Sequence, residues 1–191
     1  MNIAKTGFAL MFLFLITFLS SCGSTAVVVM KPGYDFSKIK RIAVIDFKDS
    51  PNYPNSGSIV SEMFAKYLLM TGFNIIERDQ LDAILKEHNL AVSNLTDPET
   101  ITQFKLSGID AIVTGSIPMV VPEQNFYDVR GPRFIAAQVG VTVRMISVET
   151  GEVLWIGSDT NDAADVQTAF EYLVSSLVKQ LSKDLRQAEV R

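Results

Sequence analysis

The sequence predicts a single α/β domain with a mixed, mainly parallel sheet flanked by helices, ending in a β-hairpin and a long C-terminal helix. Three observations carry that prediction. Up to residue 116, short apolar runs rich in β-branched residues take turns with helical patterns, the order of parallel strands joined by right-handed crossovers. Two later runs flank Glu149-Thr150-Gly151, as in an antiparallel pair. From Val166 to Leu185, apolar residues then recur with a helical period.

The N-terminus has a different build. Lys5 precedes an apolar run from Phe8 to Leu19 broken only by Thr17, followed by Ser20 and Ser21. A basic start, a short apolar core and small residues make a secretory signal. The run falls short of the ~18 apolar residues expected of a spanning helix. Leu19-Ser20-Ser21-Cys22 resembles the bacterial lipobox, in which the thiol receives diacylglycerol and the chain is cut just before it. Cys22 is the single cysteine of the chain. An ordinary signal peptide with a chance cysteine, or an uncleaved helix, are the alternatives. Gly23 rather than Asp after Cys22 resembles lipoproteins sent to the outer membrane of diderm bacteria. Residues 1–21 are thus read as signal peptide, 22–38 as acylated N-terminus and tether, and 39–187 as the α/β domain.

Composition narrows the function classes. Taking 21 residues from 191 leaves 170, enough for one domain with a sizeable core. The formal charge is −4, and loss of Lys5 takes the mature chain to about −5. That balance argues against nucleic acid and against a polybasic grip on anionic lipid. Attachment would rest on acyl chains, each buried methylene contributing ~0.8 kcal/mol. One cysteine allows no internal disulfide. With one histidine and a blocked thiol, most metal and cysteine-nucleophile chemistry is excluded.

In chain order, Ser24 to Phe36 reads as a tether with a turn at Pro32-Gly33, and Ala26 to Met30 as a possible edge strand. Arg41 to Phe47 suits a strand buried on both faces. Asp49 to Gly57 is a loop by composition. A helix follows from about Ser58 to Thr71, with Ile59, Met63, Tyr67 and Met70 at helical spacing, Val60, Phe64 and Leu68 beside them, and Gly72 at the C-cap. Phe73 to Glu77 is strand two. Asp79 caps a helix whose inner face is Leu81, Ile84 and Leu85. Asp97-Pro98 starts another helix, which stops at Gly108. Ala111 to Ser116 is strand three. Pro118 to Arg133, with three prolines and four charges, reads as a loop. Val139, Val141, Val143 and Met145 alternate with polar or small residues in a half-buried strand, and Val153 to Ile156 returns antiparallel. The last helix begins at about Asp162, with Val166, Phe170, Leu173, Leu177, Leu181 and Leu185 as its core stripe.

From Arg41 to Ile156 the residues resemble the curli-transport lipoproteins, CsgG-like. The likeness rests on Ile42-Ala43-Val44, on Glu77-Arg78 with Leu81, Leu85 and Glu87, and on Gly108-Ile109-Asp110-Ala111 leading to Thr114-Gly115-Ser116. Val143-Arg144 and Thr150-Gly151-Glu152-Val153 complete it, in order behind a lipobox. The resemblance implies a periplasmic α/β domain with a mixed sheet. Its best-known members form outer-membrane secretion channels for amyloid subunits, and similar domains occur in activators of peptidoglycan synthases. In the channel-formers, the loop after the first strand carries a constriction ring of Tyr, Asn and Phe. Tyr53 and Asn55 match, but Ser56 and Gly57 stand in place of the Phe. The channel-formers also insert two spanning hairpins per subunit. Here three prolines and charges at Glu123, Asp128, Arg130 and Arg133 interrupt the first slot, and Gly157 to Asp162 is too short for the second. The chain therefore resembles a shortened member without the membrane hairpins.

Candidate sites are few. Asp46, Glu77, Arg78, Thr114 and Ser116 fall at the carboxyl ends of the predicted parallel strands, where open α/β sheets bind ligands. A lipid-anchored enzyme would use Glu77 as base and Arg78 as anion clamp; the plainer reading is an ion pair at a strand end. No glycine-rich phosphate loop follows a strand. His88 reads as a solvated helix residue and Trp155 as core. Phe126 and Tyr127, flanked by prolines, are candidate partner contacts, as are Tyr53 and Asn55. The expected function is a non-enzymatic assembly or secretion accessory, lipid-anchored on the periplasmic face of the outer membrane. It would hold no cofactor or metal. Its partners would be the bilayer through acylated Cys22, an envelope protein and a homo-oligomer. A peptidoglycan-synthase-activator type of lipoprotein and the lipid-anchored enzyme are the alternatives.

Overall fold

The computed structural model describes residues 26–76, 78–87 and 98–189. The readings made for residues 1–21, Cys22, Glu77, His88 and Asp97 fall outside the described residues. A six-stranded mixed sheet forms the middle of the fold. Its parallel part is built on β2 (Arg41–Val44), which lies between β3 (Asn74–Ile75) and β4 (Ala111–Val121). The rest is antiparallel: β7 (Ala137–Ser147) pairs with β4, β8 (Val153–Ala163) with β7, and β1 (Val27–Met30) closes the edge against β8. Composition marked Ala26 to Met30 as a possible edge strand, and β1 is that strand.

Two apolar clusters explain why β2 carries a near-continuous apolar run. Ile42 packs on one face with Val113, Phe64 and Phe170. Ala43 and Ile45 pack on the other with Ile112, Leu81, Leu85 and Phe104. The first face is covered by α1 (Ser56–Met70) and α4 (Val166–Glu189), the second by α2 (Arg78–Glu87) and α3 (Pro98–Leu106). A strand between two helical layers has no wet side, so alternation disappears. The antiparallel half differs. Val139, Val141, Val143 and Met145 are buried in the first cluster, while Arg144 faces out.

A register shift at Met145/Ile146 leaves Leu154 without an opposite residue. That bulge lets Leu154 and Trp155 both enter the core, where strict alternation would send one outward. Trp155, 1% exposed, is core as expected. Its indole N–H is buried with no hydrogen-bond partner among the described residues.

Several sequence expectations are corrected. In α1 the buried row is Val60, Phe64 and Leu68, with Ser61; Ile59 and Met70 are exposed. The two rows lie about 100° apart on a helix, and only one can face the sheet. Val44 and Ile75 are half-buried rather than buried. Asp79 sits in the first turn of α2, not ahead of it. The C-terminal helix starts at Val166, later than Asp162, because β8 runs on to Ala163. Asp165 precedes it and accepts from the Thr168 N–H at 2.8 Å and the Thr168 hydroxyl at 2.7 Å. These bonds, the backbone one first, hold the Asp165 carboxyl below its ordinary value.

The largest correction concerns Pro118 to Arg133, read as a loop. Strand β4 continues to Val121, with Pro118 inside a register shift between Ser116 and Met119. The chain then forms β5 (Gln124–Asp128) and β6 (Gly131–Ile135), a separate two-stranded hairpin. Asp128 accepts from the Arg130 N–H at 2.7 Å, and Gly131 takes φ +111°, so an Asx turn and a glycine close the tip. Pro132 pairs with Tyr127 within the ribbon. A two-stranded ribbon tolerates proline because every second amide points away from the partner strand.

Candidate functional site

The predicted strand-end crevice does not form from the described residues. Thr114 and Ser116 sit in the middle of β4, opposite Arg144 and Thr142 of β7. Ser116 is also bridged by Lys48. The strand does not stop where the apolar run stops, so these hydroxyls belong to a ladder. Asp46 accepts from the Ser61 hydroxyl of α1 at 2.9 Å, a tie between strand and helix. No group of three metal-ligating side chains occurs among the described residues.

The loop after β2 is built around a residue that sequence reasoning passed over. The Asp49 carboxylate accepts from the Gly57 N–H at 2.7 Å and the Asn55 N–H at 3.0 Å, satisfying donors at the start of α1. Asn52 accepts from the Ser50 hydroxyl and donates to the Val120 carbonyl at 2.6 Å, which pins the loop to the end of β4. Asn55 takes a left-handed conformation, φ 64°, and makes no side-chain cap bond. Asparagine is among the few side chains at ease there, so the backbone alone accounts for it. The spacing Asp49 to Ser56 before a helical pattern was the available signal for the cap.

Tyr53 is half-buried and packs against the core. It stands at one end of an open groove of about 390 Å³ between α1 and α4, floored by Ile59, Met63, Val166 and Phe170. Lys66 at the rim pairs with Glu171 at 2.9 Å. The hydrogen bond to Glu171, then its charge, raises the Lys66 pKa.

Phe126 and Tyr127 are not on a loop but on β5, where Tyr127 is 84% exposed. All of β5 and nearly all of β6 is exposed. Register sorts the side chains onto two faces. Phe126 stands opposite Arg133, and Gln124 opposite Ile135; on the other face Tyr127 stands opposite Pro132, and Asn125 opposite Phe134. Asp128 pairs with Arg133 at 2.9 Å on the Phe126 face. The Tyr127 face carries no charge, and Val129 at the tip is fully exposed.

The domain is thus a helix-covered mixed sheet with an open groove beside Tyr53 and an exposed two-stranded hairpin. The comparisons place it further. Residues 30–119 match the family model of the curli production assembly/transport component CsgG, and over that stretch the chain is similar to it. The PelC dodecamer from Paraburkholderia phytofirmans has the same fold, at a TM-score of 0.52 and 16% identity, over 82% of this chain and 94% of that one. The lipoprotein GNA1162 from Neisseria meningitidis has it too, at 0.53 and 17%, over 75% of this chain and 99% of that one. No curated protein matches the sequence.

Proposed function

We propose that the chain is a lipid-anchored envelope protein, held by acylated Cys22 at the periplasmic face of the outer membrane. It works without catalysis, as an assembly or secretion accessory, through contacts with an envelope protein and with copies of itself. The observation that carries this reading is the β5–β6 hairpin, ten residues of strand of which all but Gly131 are exposed. Ordered strand with no core of its own is a structure kept for contact. Phe126 and Tyr127 are its aromatic contacts, and Tyr53 with Asn55 marks a second surface beside the helix groove. The CsgG-type match over residues 30–119, and the folds of a dodecameric PelC and a neisserial lipoprotein, support the same class of role.

The test is a photo-crosslinking residue at Phe126 or at Tyr53, incorporated in cells. Membrane-bound adducts with a second copy or another envelope protein are expected. An absence of protein adducts from both positions, in protein that fractionates normally, refutes the contact role.

A further inference from the structure

We propose that the trough between the C-terminal end of α1 and the second half of α4 is a docking site for an acidic amphipathic helix of a partner protein. This surface is distinct from the hairpin and from the groove beside Tyr53, and it does not depend on the lipid anchor.

Two hollows meet there. One, of about 1390 Å³, is lined by Tyr67 and Met70 of α1 and by Val178, Lys179, Lys183 and Arg186 of α4. The other, of about 420 Å³, shares Thr71, Ser182 and Arg186 with it and carries the trough past Phe73 to Lys40, just before β2. Among the described residues, no acidic side chain lines either hollow. The chain as a whole is acidic, at −4. Elsewhere on its surface cations meet acids: Lys31 with Glu152, Lys66 with Glu171 and Arg133 with Asp128. Asp184 of α4 lies on another side of the helix. It accepts from Gln180 Nε2 at 2.7 Å and lines a different hollow with Val28 and Tyr34.

Helix stability does not account for this row of cations. Lys179, Lys183 and Arg186 recur at i, i+4 and i+7, within about 60° of one another and over about 10 Å of the axis. Lys179 and Lys183 have no acid three or four residues away, and like charges at these spacings weaken a helix. The helix dipole favours cations only in the last turn, which holds Arg186 alone of the three. Beside the row stands Met70, 72% exposed, an adaptable apolar side chain of the kind used at contact surfaces. The trough is thus apolar along its floor, over buried Val178, and positive along one wall.

The occupant follows from shape and charge. A trough between two helices takes a third helix along its length, apolar side down. Acidic residues at i, i+4 and i+7 of that helix match the spacing of the cation row. A broad anionic surface or a long polyanion meets the acidic remainder of the molecule as well. A short helix seated in the trough meets the row within the ~8 Å over which charge acts in physiological salt.

The test is fluorescence anisotropy on the purified lipidated protein in an uncharged detergent. The probe is a fluorescein-labelled, alanine-based synthetic helix with glutamates at i, i+4 and i+7 and a row of leucines beside them. Binding is expected, weakening as salt rises, and at least tenfold weaker for the same peptide with glutamine in place of glutamate. The Lys179→Glu/Lys183→Glu double variant, changed at two exposed positions, is expected to lose at least tenfold in affinity. It should prefer the peptide with lysine in place of glutamate. Lys179→Gln/Lys183→Gln, which removes the charge without adding acid, should show a smaller loss. Micelle uptake of the peptide is common to all proteins and cancels. Lys105→Glu, exposed on α3 across the sheet, should bind as wild type does. Equal binding by wild type and both double variants, or no binding by wild type, overturns the proposal and leaves the hairpin contacts standing. Displacement of the peptide by an equal charge of oligonucleotide, or of phosphatidylglycerol added to the micelles, also overturns it, since the trough is then a general polyanion surface.

Discussion

Gly115 offers a quantitative test of whether β4 continues beside β7 through the Thr114-Gly115-Ser116 motif. A Cβ built at Gly115 would lie 2.7 Å from Cε2 and 2.8 Å from Cδ2 of Phe47, and would overlap the Thr142 carbonyl oxygen. Neither neighbour gives way easily. The Phe47 ring is stacked on Phe64 with centroids 5.2 Å apart, and the Thr142 carbonyl belongs to the β7 backbone. Overpacking of this kind costs about 1–3 kcal/mol, and with backbone on one side the upper part of that range applies. At about 2–4 °C per kcal/mol for a domain of this size, Gly115→Ala should lower the melting temperature by roughly 4–12 °C. Gly140 of β7 is the control: its nearest atoms lie at 3.5–3.7 Å, ordinary contact. Gly140→Ala should be neutral or stabilise by up to about 1 kcal/mol, through loss of unfolded-state freedom. The assay is thermal unfolding followed by circular dichroism on detergent-purified protein. Adding Phe47→Leu to Gly115→Ala should recover only part of the loss, because the carbonyl overlap remains. If Gly115→Ala melts within a degree of wild type, β4 does not lie against Thr142 of β7 as described.

Three further outcomes are expected. Cys22→Ala should leave the protein unprocessed or released from membranes, and labelling by a palmitate analogue should vanish; label that persists in the variant counts against the anchor. Lipidated protein alone in a planar bilayer should show no steady, large unitary conductance, because five-residue strands do not span; such a conductance would restore a channel. Asp165 has its folded pKa held below the ordinary 3.8 by Thr168, so its contribution to stability is present above that value and fades as pH falls through the folded pKa. Asp165→Asn should therefore lose stability relative to wild type at neutral pH, with the gap narrowing below about pH 4; chemical denaturation across pH 2.5–7 measures it.

The sequence by itself determined most of the buried frame. Ile42 and Ala43, Ile112 and Val113, and the stripe from Val166 to Leu181 announce themselves because burial demands apolar side chains at the period of the backbone. Glu149-Thr150-Gly151 was legible as a turn because Gly151 must hold φ +69°. Tyr53, Phe126 and Tyr127 could be singled out by type and setting, but not by what surrounds them. Tertiary structure alone decided which row of α1 faces the sheet, since Ile59 and Val60 are equally apolar and only the position of β2 and α4 chooses between them. It alone placed Asp49 and Asn52 as ties for the first loop, because their partners, Gly57 and the Val120 carbonyl, are brought there by the fold. The β5–β6 hairpin left almost no trace in the sequence, for a physical reason. A strand becomes visible in sequence through the face it buries, and β5 buries neither face. What holds it is the ladder of backbone N–H and C=O groups, which every residue but proline can supply in full, so the residues of β5 and β6 carried no pattern by which to know it.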